Sequence, residues 1–169
     1  MKGRTLKSLI CLVSLCAVVL LMTACGDNTG GNGGSSADEP KAQLTKEEYL
    51  SEVNSKCDEI AELSMQYQAD VDMNDLEKAL SATKSMVENV KPLYEELGAL
   101  NAPAEFQDKQ KEIKEGCDAS AELLELSLQL IEMESAQDVT EIQSITDKIQ
   151  ELTPKVTQLN TVLNEVRAA

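Results

Sequence analysis

The sequence predicts an all-α protein, an antiparallel four-helix bundle behind a leader and a flexible tether. Two observations carry that prediction. From Leu44 onward the composition turns to Leu, Glu, Lys, Gln and Ala, and apolar residues recur in steps of three and four, the spacing that places them on one helix face. Breaks at Gly98, at Pro103 and between Ser135 and Asp138 divide this pattern into four segments. Each runs roughly 25 to 30 residues, or about 40 Å, and the short links favour antiparallel neighbours over one long coiled coil. The domain boundaries are a leader over 1–24, a tether over 25–43 and the bundle over 44–169.

Helix 1 begins at Thr45, with Glu48 three residues on to complete a capping box. Its expected core stripe is Leu50, Val53, Cys57, Ile60, Ser64 and Tyr67. Helix 2 is introduced by Asp72 or Asn74 and carries Leu76, Leu80, Thr83, Val87, Val90, Tyr94 and Leu97, with Gly98 as its C′ terminator. Pro92 falls inside it and predicts a bend.

Pro103 suits the first position of helix 3, whose seam is Phe106, Ile113, Cys117, Ser120, Leu124, Ser127 and Ile131, with Asp108 to Glu115 facing solvent. Asp138 and Glu141 form a second box-like start for helix 4. Ile142, Ile145, Ile149, Leu152, Val156, Leu159, Leu163 and Val166 repeat along it, and Pro154 predicts a kink.

Ahead of the bundle, Lys2, Arg4 and Lys7 form a basic stretch and Leu9 to Leu21 an uncharged apolar run. The sequence Leu21-Met22-Thr23-Ala24-Cys25 then ends that run in small residues and one cysteine. This arrangement resembles the lipobox of bacterial lipoproteins, with Met22 where that motif ordinarily has Leu. The resemblance implies cleavage between Ala24 and Cys25 and a diacylglyceryl group on the Cys25 sulfur. The apolar run is shorter than the roughly 18 residues that a spanning helix needs. Two or three acyl chains hold a protein on a membrane durably, whereas one chain holds it only transiently. Residues 26–39, GDNTGGNGGSSADE, read as a flexible tether with a root-mean-square span of roughly 20 Å. The expected location is therefore the cell membrane, lipid-anchored and facing away from the cytoplasm.

Charge and composition narrow the function. The chain holds 15 Lys plus Arg against 30 Asp plus Glu. Removing the leader takes three bases and leaves −18. Such a surface repels phosphate, which excludes nucleic acid as a partner, and it repels anionic headgroups, leaving the acyl chains as the hold on the membrane. There is no histidine, so Ser-His-Asp and Cys-His catalysis and the Glu-x-x-His di-iron pattern are closed. No enzyme activity and no cofactor are expected. Metal is not expected either: Asp70 to Asp75 imitates the start of an EF-hand loop, then places Asp75 where Gly is needed and Ser81 where a bidentate Glu is needed. Met65, Met73, Met86 and Met133 are scattered, as core filler is.

After the leader and Cys25, the remaining cysteines are Cys57 and Cys117. In an oxidising compartment they are either joined as a disulfide or stand as two buried thiols. Thr83, Ser64, Ser120 and Ser127 interrupt apolar seams, and their hydroxyls are expected to bond carbonyls one turn back. Leu123, Leu126, Leu128 and Leu130 place leucine on more than one face of helix 3, and a large exposed apolar patch usually marks a contact site. The expected role is therefore a lipid-anchored module that binds another envelope component through this face. A bundle that opens around a small ligand is the competing reading.

Overall fold

The computed structural model describes residues 43–70, 75–136 and 140–169. They form four helices, α1 (Lys46–Asp70), α2 (Leu76–Gly98), α3 (Gln107–Ala136) and α4 (Ile142–Arg167), with a short 3₁₀ turn at Ala104–Phe106 before α3. The leader, Cys25 and the tether up to residue 42 lie outside the described residues, as do Asp72, Met73, Asn74 and Asp138.

The helices pack in chain order, α1 on α2, α2 on α3 and α3 on α4, with a shorter contact closing α1 onto α4. One end of the bundle collects the start of α1, the α2–α3 link and the end of α4. There the Leu44 N–H donates to the Asn101 carbonyl at 3.0 Å, Gln43 Nε2 to the Ala102 carbonyl at 3.0 Å, and Lys46 Nζ to the Ala169 carbonyl at 3.2 Å. Neighbouring helices therefore run in opposite directions. Lysine–glutamate pairs mark the seams: Lys56 with Glu96 between α1 and α2, Lys91 with Glu125 between α2 and α3, and Lys109 with Glu165 between α3 and α4. Such exposed pairs contribute about 0–1 kcal/mol each.

Apolar burial supplies the stability, in two clusters. The larger draws on all four helices and includes Val53, Ile60, Val90, Leu97, Ile113, Leu163 and Val166. The smaller lies between α3 and α4, built from Ala119, Leu123, Leu126, Leu130, Ile131, Ile145, Leu152 and Val156, with Leu80 of α2 against it. Each large side chain taken fully out of water contributes about 1.5–3 kcal/mol.

The helix ends show where local signals hold. Thr45 and Glu48 make the expected reciprocal box: the Glu48 N–H donates to Thr45 Oγ1 at 3.3 Å and the Thr45 N–H to Glu48 Oε2 at 2.9 Å. The Thr45 N–H and the Thr45 hydroxyl, the latter also at 2.9 Å, donate to the Glu48 carboxyl and hold it below its ordinary range. At the start of α2 the cap is Asp75, one residue past the expected pair, its carboxylate accepting the Lys78 N–H at 3.2 Å. That bond lowers the Asp75 carboxyl too, so the residue that spoils the EF-hand imitation has a capping role instead. Pro103 precedes the 3₁₀ turn rather than opening α3. Glu141 caps α4 itself, without a side-chain bond.

Gly98 departs from its expected role. It is the last helical residue, and Ala99 caps the helix at φ −94° with its N–H on the Glu95 and Glu96 carbonyls, so no left-handed glycine is used. Gly98 is buried where α3 crosses: a methyl group there would sit 3.4 Å from both Cys117 Cβ and Lys114 Cα. Both helices with internal proline continue through it. Pro92 and Pro154 are exposed, so the carbonyls of Glu88 and Gln150 that lose a partner face water and the cost is small.

Candidate functional site

The candidate sites are the leucine-rich stretch of α3, the polar cluster inside the larger core, and a hollow at the α3–α4 end. The leucines are settled by burial. Leu123 and Leu126 are each 3% exposed and Leu130 is fully buried, all in the smaller cluster, while Leu128 is half-buried. This corrects the reading of an exposed contact face. One leucine stripe of α3 packs with α1 and α2 through Leu124, and the other covers α4, so two faces are apolar because two different cores need them. Among the described residues the one large apolar side chain well exposed is Met65 of α1, at 50%.

The polar cluster is built on Gln110. Its Nε2 donates to the carbonyls of Leu97 at 2.9 Å and Gly98 at 3.1 Å, and its Oε1 accepts from the Tyr49 hydroxyl at 2.8 Å. One amide therefore satisfies orphan carbonyls at the end of α2 and a buried phenol from α1. Tyr49 in turn packs on Phe106, with ring centroids 5.2 Å apart. The sequence reading placed Gln110 on the solvent side of helix 3. The missed signal is its register: 106, 110, 113, 117 and 120 step by four, three, four and three, so Gln110 fills the empty seam position. Changing Gln110 to Ala strips three bonds and leaves buried groups unpaired, and should cost about 2–4 kcal/mol in urea unfolding. Tyr49→Phe, which loses one bond, should cost only about 1 kcal/mol.

Near this cluster lie Cys57 of α1 and Cys117 of α3, thiols in the structure, 3% and 1% exposed. Both belong to the larger core. Burial pushes the Cys117 thiol well above its ordinary value, and the neighbouring Cys57 adds to the shift. Burial likewise pushes Tyr49 up to about 12 and Tyr94 further, with both cysteines contributing. The seam hydroxyls behave as expected where they donate backward: Ser120 Oγ to the Gly116 carbonyl at 2.9 Å and Ser127 Oγ to the Leu123 carbonyl at 2.8 Å. The polar atoms of Gln110, Ser120 and Ser127 are bonded within the protein itself.

The hollow lies between the end of α3 and the start of α4. It measures about 290 Å³, opens broadly to solvent, and is lined by Gln129, Glu132, Met133, Ala136, Glu141 and Ile145. Glu132 is already held by Lys84 at 3.5 Å. Among the described residues, no three acidic, cysteine or histidine side chains converge as metal ligands, and no helix is long and apolar enough to cross a membrane. No family model, curated protein or solved structure matches this chain.

Proposed function

We propose that the chain is a lipid-anchored, extracytoplasmic helical-bundle protein without enzymatic activity, which binds another component of the cell envelope. The observation that carries this reading is the run Leu21-Met22-Thr23-Ala24-Cys25 behind a basic start and a short apolar stretch. A sulfur-linked diacylglyceryl group on Cys25 and a glycine-rich tether would present the bundle clear of the headgroups. With Leu123, Leu126 and Leu130 inside the bundle, the surface offered to a partner is acidic and polar, so the partner it fits is one with a basic face. Such contacts are steered by charge and weaken as salt is raised.

Two measurements test this. When the gene is expressed in a bacterium, radiolabelled fatty acid should enter the protein, and Cys25→Ala should abolish the label and release the bundle from the membrane fraction. Label that persists in Cys25→Ala, or fails to enter the parent chain, overturns the anchoring. In-cell crosslinking of the lipidated protein should then capture an envelope protein, with yield falling as ionic strength rises. A co-purified small molecule and no crosslinked protein would instead favour the carrier reading.

A further inference from the structure

The bond between Tyr49 and Gln110 sets the register of two helices that run the same way. Tyr49 belongs to α1 and Gln110 to α3, and their side chains meet at 2.8 Å across the interior of the bundle. Cys57 lies eight residues beyond Tyr49, and Cys117 seven beyond Gln110. At about 1.5 Å per residue both have climbed two turns, roughly 11 to 12 Å, from that shared level. Both are buried in the same core cluster. Small neighbours lie at this level: Gly98 of α2 is beside Cys117, and Ser120 follows it one turn on along α3.

We propose that Cys57 and Cys117 form one intrachain disulfide that ties α1 to α3, closed during folding by exchange with a small-molecule or protein disulfide oxidant. That such an oxidant is met in the cell rests on the extracytoplasmic reading above; the pairing itself rests on the register. The exchange balances in two steps. One cysteine thiolate attacks a sulfur of the oxidant disulfide and expels one oxidant thiolate. The second cysteine thiolate then attacks the mixed disulfide and expels the other, so two electrons pass to the oxidant and the two cysteine protons end on its two thiols.

Burial fixes the timing. In the finished fold the Cys117 thiol is shielded from solvent and resists ionisation, and only the thiolate is a nucleophile. The bond therefore forms while the helices are still docking. Once formed, the same burial excludes reductant. The link spans the bundle interior, between two helices that are not sequence neighbours.

The test uses the full chain in detergent, unfolded with reductant and refolded in a mixture of oxidised and reduced glutathione. Non-reducing peptide mapping should recover the Cys57 peptide joined to the Cys117 peptide. The linked protein should melt roughly 10 °C above the same protein refolded in excess reductant, and Cys57→Ser should remove the difference. Alkylation of both residues after denaturation, or linkage of either one to Cys11, Cys16 or Cys25, overturns the proposal. Refolding in a tube does not depend on where the protein resides, so this failure is distinct from a failure of fatty-acid labelling.

Discussion

Gly116→Ala is expected to lower the melting temperature by roughly 10 °C, corresponding to a loss of about 3 kcal/mol. On helix propensity alone the change should help, since Ala is favoured over Gly in a helix interior by about 1 kcal/mol. The crossing of α3 and α4 reverses the sign. A methyl group at 116 would stand 2.5 Å from Leu159 Cβ, 3.1 Å from its Cγ and 3.2 Å from its Cα. No rotamer of Leu159 moves its own Cβ and Cα, so the helices themselves must part. Parting them loosens contacts along both clusters, because Leu159 is 1% exposed in the larger and α3 and α4 share the smaller. Gly98→Ala is the control. Its added methyl meets nothing closer than 3.4 Å, and the variant should stay within about 1 kcal/mol of the parent. If Gly116→Ala unfolds at the parent temperature, α3 and α4 do not approach as described.

The two glycines also show how far the sequence could be read. Gly98 followed by Ala99 and Leu100 has the local look of a helix terminator, and the helix does end there. Yet Gly98 takes no left-handed conformation and an added methyl would meet α3 only at ordinary contact distance, so the glycine is not what ends the helix. Gly116 lies in mid-helix with no such local look, and the close approach of α4 that requires it is visible only in the packing.

The four helices were legible because period and breaks are properties of neighbouring residues. The exact face was less so. Tyr49 is fully buried where Leu50 was expected, and Ala79 and Met86 are buried where Leu80 and Val87 were expected. Adjacent residues lie only about 100° apart on a helix, so an apolar pair at either position fits the same spacing, and the packing partner chooses. Gln110 was missed for a related reason: its value comes from carbonyls 12 and 13 residues away. Of the four seam hydroxyls, Ser120 and Ser127 make the expected bond, legible because donor and acceptor sit one turn apart on the same helix.

The leucine stretch of α3 supplies the other large effect. Leu126→Glu is expected to cost at least about 4 kcal/mol at neutral pH, enough to leave much of the protein unfolded, while Leu128→Glu should cost less than about 1 kcal/mol. The two residues are nearly adjacent and equally apolar, so the contrast isolates burial. Leu126 is 3% exposed among Leu123, Leu130, Ile145 and Leu152, where no described lysine or arginine is buried to pair with a new carboxylate. Leu128 is half-buried, and its replacement can turn toward water. A carboxyl forced into that cluster would have a folded pKa above its unfolded value, because the protonated form is the one that tolerates burial. The sign of the pH dependence follows. Relative to the parent at the same pH, Leu126→Glu should gain stability as pH falls from 7 toward 5 and lose it again as pH rises through the folded pKa. Urea unfolding of both variants at pH 5 and pH 7 measures this directly. Equal, small losses for the two would return the stretch to the surface and restore it as a candidate contact face.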